Sequence, residues 1–400
     1  MGKRLLLLTA LIVAASCSKA PLSVRMIRSE MQRCPDATWL DGRQGALKWN
    51  YTTGLELRAF QEADAALGLP DAAAYVKDWA DKMASEDGSS IETYKLKNYN
   101  VDHICPGRIY FPLYERALAD GDSASAARYR AVLDLVRSQI DGQPRTQAGA
   151  FWHKAIYPHQ LWLDGLYMAL PFYAEYTATF EEGAMADSCY DDIVHEFKVA
   201  AEKTFDPATG LFRHAWDESR SMFWADPETG LSQHAWGRAD GWYAYALAEV
   251  LDFIPEGHPG YGELVAQLQY LLGAVRKYAD PATGMWYQVL DCPGREGNYL
   301  ESTCSAMFLY AALKGVRRGW LDEGQWGAYS RDLYGKFCKA FIRENRDGTV
   351  SMTSCCAVGG LGGKQMRSGS FDYYLSEPII ENDCKGIGPF IQASLEYERL

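Results

Sequence analysis

Three stretches of this chain hold side chains that could do chemistry, and each sets a few polar groups among aromatics. The first, Gln233-His234-Ala235-Trp236-Gly237-Arg238-Ala239-Asp240-Gly241-Trp242, places one guanidinium between two tryptophans six residues apart. A guanidinium presents a rigid fork to a carboxylate, and flat rings stack on a sugar, so Trp236, Arg238 and Trp242 suit a sugar ring that carries a carboxylate. The competing reading is a helix start whose tryptophans fill the core and whose arginine sits in a structural ion pair. The second stretch, His159-Gln160-Leu161-Trp162-Leu163-Asp164-Gly165-Leu166-Tyr167-Met168, sets Asp164 in an otherwise apolar helix start. A carboxylate there is costly unless bonded or used, and burial is expected to raise its pKa toward the range a general acid needs. A plain helix cap is the alternative. The third, Asn98-Tyr99-Asn100-Val101-Asp102-His103-Ile104-Cys105-Pro106-Gly107, offers Asp102 in a polar loop, as a second acid or as a turn residue. Two carboxylates from separate loops are the usual equipment of a glycosidase.

The elements that must position these groups are helices. From Trp49 onward, apolar residues recur at helical spacing over 54–67, 71–85, 109–120, 123–139, 161–177, 190–204, 243–254, 261–278, 304–315 and 326–342, with short polar loops between and almost no strand alternation. An internal echo overlies this pattern. A glycine turn followed by an aromatic or β-branched run recurs at Gly149, Gly210, Gly284 and Gly348, with separations of 61, 74 and 64 residues. Two of these turns share the wording Asp-Pro-Ala-Thr-Gly, at 206–210 and 280–284, where proline presets φ and glycine supplies the positive φ. A period of about 60 to 75 residues matches one helical hairpin with its loop. Stacked hairpins must cover their ends or close on themselves, so the expected fold is all-α, an (α/α)6 barrel of six helical hairpins with short β-like loops at one rim. An open solenoid is the alternative. Closure would gather the echoing loops, making His153 (in Phe151-Trp152-His153), His214 (in Leu211-Phe212-Arg213-His214-Ala215-Trp216-Asp217-Glu218) and Gln288 neighbours.

Composition narrows the partner. The formal net charge of −12 becomes −14 once Lys3 and Arg4 leave with the leader, and no later basic run compensates, which argues against nucleic acid. Aromatics at 13%, with twelve tryptophans, exceed what packing alone recruits and point to carbohydrate. The ten cysteines include no C-x-x-C pair and no zinc-spaced Cys/His cluster, so neither a metal nor a catalytic thiol is expected. Gly359-Gly360-Leu361-Gly362-Gly363-Lys364 fails as a phosphate loop, since Val358 and Gln365 occupy required positions, and reads as a flexible loop over substrate.

The first residues carry an address. Lys3 and Arg4, the apolar run to Ala15 and the small residues before Cys17 form an export signal, too short for a permanent span. Cys17 resembles a lipobox cysteine, with plain secretion as the alternative. The expected organisation is a signal segment over 1–17, an N-terminal linker over 18–48 and a single catalytic barrel over 49–400. Its setting would be the periplasm or outer membrane of a bacterium, with the membrane touched only through a lipid on Cys17.

These residues together resemble a known family, glycoside hydrolase family 105, the unsaturated rhamnogalacturonyl hydrolases. The resemblance rests on Trp49-Asn50-Tyr51, Asn100-Val101-Asp102, the segment from Gln160 to Met168, Phe212-Arg213-His214-Ala215-Trp216-Asp217-Glu218, Trp236-Gly237-Arg238-Ala239-Asp240-Gly241-Trp242 and Asn382-Asp383-Cys384-Lys385-Gly386-Ile387-Gly388-Pro389-Phe390. It implies an (α/α)6 barrel that removes a 4,5-unsaturated uronic acid from lyase-generated oligosaccharides without metal or redox cofactor. It further implies Asp164 as principal general acid and base, Asp102 as the assisting carboxylate, and Tyr51, His153, His214, Trp236, Arg238 and Trp242 as substrate contacts. Where many relatives read Arg-Gly-Asn-Gly-Trp, this chain has Ala239 and Asp240, an added acid beside the pocket. Two rival readings are an unsaturated glucuronyl hydrolase acting on glycosaminoglycan fragments and a sugar-binding lipoprotein without catalysis.

Overall fold

The computed structural model describes residues 20–400, so the export signal and Cys17 lie outside the described residues. No helix among the described residues is long and apolar enough to cross a membrane. Six inner elements form a closed ring. They are α2 (Tyr51–Leu67), the 3-10 turn Cys105–Ile109 leading into α4 (Tyr110–Ala119), α6 (Leu163–Phe180), α8 (Gly237–Val250), α10 (Ser302–Arg317) and α13 (Cys384–Arg399), with α13 packing back on α2. Each is backed by an outer helix: α3 (Pro70–Met83), α5 (Ser123–Gly142), α7 (Gly183–Thr204), α9 (Tyr261–Arg276) and α11 (Glu323–Phe341) follow their partners in the chain, and α1 (Leu22–Arg33) backs α13. The (α/α)6 barrel is therefore closed by a hairpin made from the two ends of the chain.

That closure corrects the expected linker over 18–48. Val24, Met26 and Ile27 of α1 are buried, Ser23 donates to Glu398 at 3.1 Å, and Arg25 pairs with Glu344 at 2.9 Å. Only the ends of the expected helices shift elsewhere, except that α1, α13 and the short α12 (Phe371–Ser376) carry no expectation above. The inner helices α6, α8 and α10 are buried on nearly every side because neighbours cover every side. All fourteen residues of α8 are buried. Two outer helices, α5 and α11, start on side-chain caps, Asp122 accepting from Ser125 N and Asp322 from Gln325 N.

The glycine echo is real geometry. Gly149, Gly210, Gly284 and Gly348 have φ of 98°, 74°, 76° and 86°, and each lies between the end of an outer helix and the start of the next inner one. Gly210 and Gly348 close two-stranded hairpins, Phe205–Asp206 with Leu211–Phe212 and Ile342–Glu344 with Val350–Met352. Gly149 closes only the isolated bridge Arg145 to Phe151, and Gly284 closes a turn in which Asp280 N donates to Met285 O at 2.8 Å. All four loops therefore crown the rim where inner helices begin.

At the other end the inner ring is tied by buried charge. Arg108 pairs with Glu175 at 3.1 Å and Glu249 at 2.7 Å, Arg58 with Glu175 at 2.9 Å and Glu62 at 3.2 Å, and Lys314 with Glu249 at 2.9 Å. Tyr310 also donates to Glu249, and Gln392 of α13 reaches Glu62 at 2.8 Å. Burial pushes the Glu249 carboxyl up, but the charges of Lys314 and Arg108 outweigh it and hold it well below the usual range. A folded-state pKa below the unfolded one stabilises above about pH 4.3 and is lost as pH falls through the folded value. Removing one partner of a buried pair typically costs about 3 to 5 kcal/mol, because the others stay buried without compensation. Glu249→Gln is therefore expected to lose stability of that order in urea unfolding at pH 7, with a shallower decline than wild type below about pH 4.3. Equal stability at pH 7 would show that the ring does not depend on this residue.

Candidate active site

The inner helices all begin at one rim, and the expected site residues sit at those starts. Tyr51 is the first residue of α2, Asp164 the second of α6 and Arg238 the second of α8; Thr303 and Lys385 hold the same second place on α10 and α13. Helix N-termini carry partial positive charge, so several pointing into one cleft favour an anion there.

Asp164 is aimed by a short sheet. Gln160–Trp162 pairs antiparallel with Ala215–Asp217, Leu161 opposite Trp216, and Leu163 N donates to His214 O at 3.1 Å. This sets Asp164 Oδ2 3.0 Å from His214 Nε2, while His214 Nδ1 meets the Tyr374 hydroxyl at 2.7 Å. Trp162, not Asp164, occupies the cap position of α6, so the simple cap reading fails. The expected rise in pKa also fails. Burial pushes the Asp164 carboxyl up, but the charge and hydrogen bonding of His214, with a smaller share from His153, leave it below the ordinary value.

Asp102 lies in the 3-10 turn Val101–His103, where Asn100 supplies the cap by accepting from Asp102 N at 3.1 Å. Its own carboxylate is thus not a turn device. One oxygen is 2.6 Å from Lys154 Nζ and the other 3.4 Å from His153 Nε2. Burial raises the Asp102 pKa, but Lys154 and then His153 bring the balance below the usual value. The His153 ring lies parallel to Trp162 at 4.6 Å, and burial pushes its pKa down to about 4, so it is neutral near pH 7. Asp102 and Asp164 both act electrostatically on His153 and on Tyr51, so the two carboxylates share neighbours at this rim.

Arg238 is buried. Nη1 donates to Cys356 O at 2.8 Å, whereas Nη2 is buried with no hydrogen-bond partner, as is Thr303 Oγ1. The expected open aromatic walls beside it are not present in that form. Trp236 is only 1% exposed, stacked on Tyr374 at 5.7 Å beside His214 at 4.7 Å, with Gly359 so close that a Cβ there would lie 2.3 Å from the ring. Trp242 is equally buried, stacked on Tyr167 at 5.0 Å and edge-on to Tyr51 at 6.2 Å. Both tryptophans support the cleft from behind. Tyr51, Tyr157, Lys154 and Asp102 keep partial exposure at it.

Two further expectations change. Gln288 does not join the two histidines at the cleft but lies behind Trp236, accepting from its Nε1 at 3.2 Å and donating to Tyr374 O at 3.2 Å. Asp240 is not an open acid of the pocket. It is fully buried, one oxygen accepts from Phe212 N at 3.3 Å and the other has no partner, and burial raises its pKa well above the usual range, favouring the neutral form. The glycine-rich loop does lie over the site: Gly359 packs on Trp236, Gly360 N donates to Tyr373 Oη at 3.0 Å, and Leu361 packs with Trp162 and Trp224.

Among the described residues one group has metal-donor chemistry, His234, Asp291 and Cys292. Asp291 is already held by Arg213 at 2.8 Å and His234 at 3.0 Å, so the group braces the loop leading to Trp236. An adjoining cavity of about 470 Å³, lined by Asp206, Arg213, Phe223, Trp224, Gln233 and His234, contains neither Asp102 nor Asp164. Lys154, Trp162 and Tyr374, which touch the candidate acids and histidines, and Tyr157, which stacks on Trp162, carry no specific expectation above. Lys154 directly follows His153, a signal that was present, while Tyr374 is 160 residues from His214 and gave none.

Comparison with known proteins agrees with this geometry. The chain matches Glycosyl Hydrolase Family 88 over residues 22–400. A solved glycoside hydrolase of family 105 from C. acetobutylicum ATCC 824 superposes with a TM-score of 0.88 at 40% identity, covering 95% of this chain and all of that one. Protein Atu3128 of Agrobacterium fabrum is 37% identical over 234 residues, 57% of this chain and 97% of its own. Unsaturated rhamnogalacturonyl hydrolase YesR of Bacillus subtilis is 26% identical over 316 residues, 76% of this chain and 79% of its own. With the barrel closed, the acids at its rim and these matches in hand, the chain belongs to the glycoside hydrolases of families 88 and 105.

Proposed function

We propose that this glycosidase removes a 4,5-unsaturated uronic acid, most readily an unsaturated galacturonate linked to rhamnose, from oligosaccharides left by a polysaccharide lyase. The observation that supports the reading is the set of Asp164 beside His214 and Asp102 beside His153 and Lys154 at one rim, together with a buried Arg238 whose Nη2 has no hydrogen-bond partner. A uronate carboxylate would complete that guanidinium, and the helix N-termini around it add to the attraction. YesR supports the rhamnose-linked aglycone by its name and distant similarity.

The unsaturated uronide is a vinyl ether. Asp164 protonates C4, the oxocarbenium-like centre at C5 takes up water, the hemiketal opens, and the aglycone departs with its oxygen. His214 Nε2 lies 3.0 Å from Asp164 Oδ2 and holds the Asp164 pKa down, while the Tyr374 hydroxyl, 2.7 Å from Nδ1, fixes the imidazole beside the acid. Asp102, ionised beside Lys154, is placed to orient the attacking water.

Asp164→Asn should keep the fold and substrate binding while turnover falls by at least 10² to 10⁴-fold, the usual worth of general acid and base catalysis. The assay is loss of the ultraviolet absorbance of the C4=C5 bond; a variant above about half of wild-type rate would sink the assignment. Galacturonyl and glucuronyl disaccharides compared in the same assay decide the sugar, and binding without absorbance loss would mean a receptor.

Arg238→Lys should lower kcat/KM by one to two orders of magnitude, since a charge-assisted hydrogen bond is worth about 1.5 to 3 kcal/mol and an ammonium cannot set ring orientation. A methyl ester of the uronide should be a poor substrate for wild type and lose little more with the variant. Equal losses on acid and ester would leave Arg238 a structural role only.

A further inference from the structure

We propose that Lys154 is a positioning and specificity residue of the hydration reaction: its ammonium fixes the Asp102 carboxylate toward the cleft and balances its charge, so that a uronate can bind among two carboxylates. The inference rests on the function proposed above and concerns a residue outside the motifs that led to it.

Lys154 is held in place from both sides. Its backbone bridges to Asn100 and to Tyr157, Ala155 N donates to Tyr99 O at 3.0 Å, and Val101 N donates to His153 O at 3.1 Å, so the Lys154 and Asp102 segments run locked together. The ammonium lies 2.6 Å from Asp102 Oδ2 and 5.8 Å from the Tyr157 ring centroid, and Tyr157 lies parallel to Trp162 at 5.2 Å. The Lys154 side chain keeps 21% exposure and that of Asp102 15%, so the pair borders the cleft. An ordinary surface lysine pairs in this way too, but it does not face the second acid of a catalytic cleft.

The charge balance shows what the ammonium does. The groups facing Asp102 are Lys154 and His153 from the bridged loop beside it, His103 next to it in the chain, and Tyr51 from α2; Asp164 of α6 acts on it through His153. His153 is neutral near pH 7, being pushed down to about 4 by burial, so the cation that keeps Asp102 ionised there is Lys154. An entering uronate brings a further negative charge. With Lys154 present, the Asp102 pair is neutral and Arg238 meets the uronate without competition from Asp102.

The test uses the full chain, Lys154→Met and Lys154→Arg, on an unsaturated uronyl disaccharide and its methyl ester. Loss of an adjacent opposite charge raises a carboxyl pKa by about one unit or more. In Lys154→Met the acid limb of kcat/KM should therefore move up by about one pH unit and KM for the acid should rise about tenfold, with KM for the ester nearly unchanged. Lys154→Arg should return the acid limb to its wild-type place. A purely structural lysine would lower thermal stability and leave the acid limb and the acid-to-ester ratio where they are, and that result would overturn the proposal. A readout without substrate is the titration of the Asp102 carboxyl carbon by NMR, identified by its loss in Asp102→Asn; an unmoved titration in Lys154→Met overturns the proposal as well. Should wild type turn over neither substrate, the hydration reading fails, while the NMR titration still decides whether Lys154 sets the charge on Asp102.

Discussion

The structure depends on a layer of buried charge across the base of the barrel. Glu175, Glu249, Lys314 and Glu396 sit on four different inner helices, and each follows a rim residue of its own helix, Asp164, Arg238, Thr303 and Lys385, by eleven positions. Eleven residues are three turns, about 16 Å of helix. Buried charges are tolerated only when all partners are present with good geometry, so the layer accepts one axial alignment of the helices and penalises others. Arg108, reaching both Glu175 and Glu249, and Arg58, reaching both Glu62 and Glu175, carry that condition around the ring. Since helices are stiff along their axes, aligning their lower ends also sets the relative heights of Asp164 and Arg238 at the upper ends.

The upper end works by a different balance. The chain is strongly acidic overall, yet the cleft has to receive an anion on the proposed reading. Helix N-termini, Arg238 and Lys154 supply local positive potential, and the extra acid at Asp240 opposes it little, being fully buried with its pKa pushed well above the usual range. Asp102 and Asp164 are held below ordinary carboxylate pKa values by different partners, a lysine for one and a histidine for the other. That difference suits different roles: an ammonium holds a fixed charge, whereas an imidazole 3.0 Å away can exchange a proton.

Much of this was legible in the chain itself. Helical periodicity and the spacing of four glycine turns determined the helical class and the stacked hairpins, because each is a local pattern with a direct conformational cause, and the motifs around Asp102, Asp164 and Arg238 carried the family resemblance. Closure into a ring, against an open solenoid, was an expectation that the pairing of α1 with α13 decided. The acidic residues of the motifs stand out in sequence because a carboxylate in an aromatic run needs a reason. Even the base layer left a trace in the eleven-residue spacing, although spacing alone does not tell a buried charge from a solvated one.

What tertiary structure alone decided were the partners. The pKa of Asp164 goes down rather than up because His214, fifty residues later, is brought to its side by a two-stranded pairing, and Tyr374 completes that contact from a third region. Trp236 and Trp242 are supports rather than open walls because the Gly359 loop and Tyr167 cover their faces. The first helix belongs to the barrel because the last helix has an uncovered side, a fact held at the opposite end of the chain. Sequence specifies which groups are present and the local geometry that presents them; burial, and with it the sign of each electrostatic shift, depends on which distant segments arrive to exclude water.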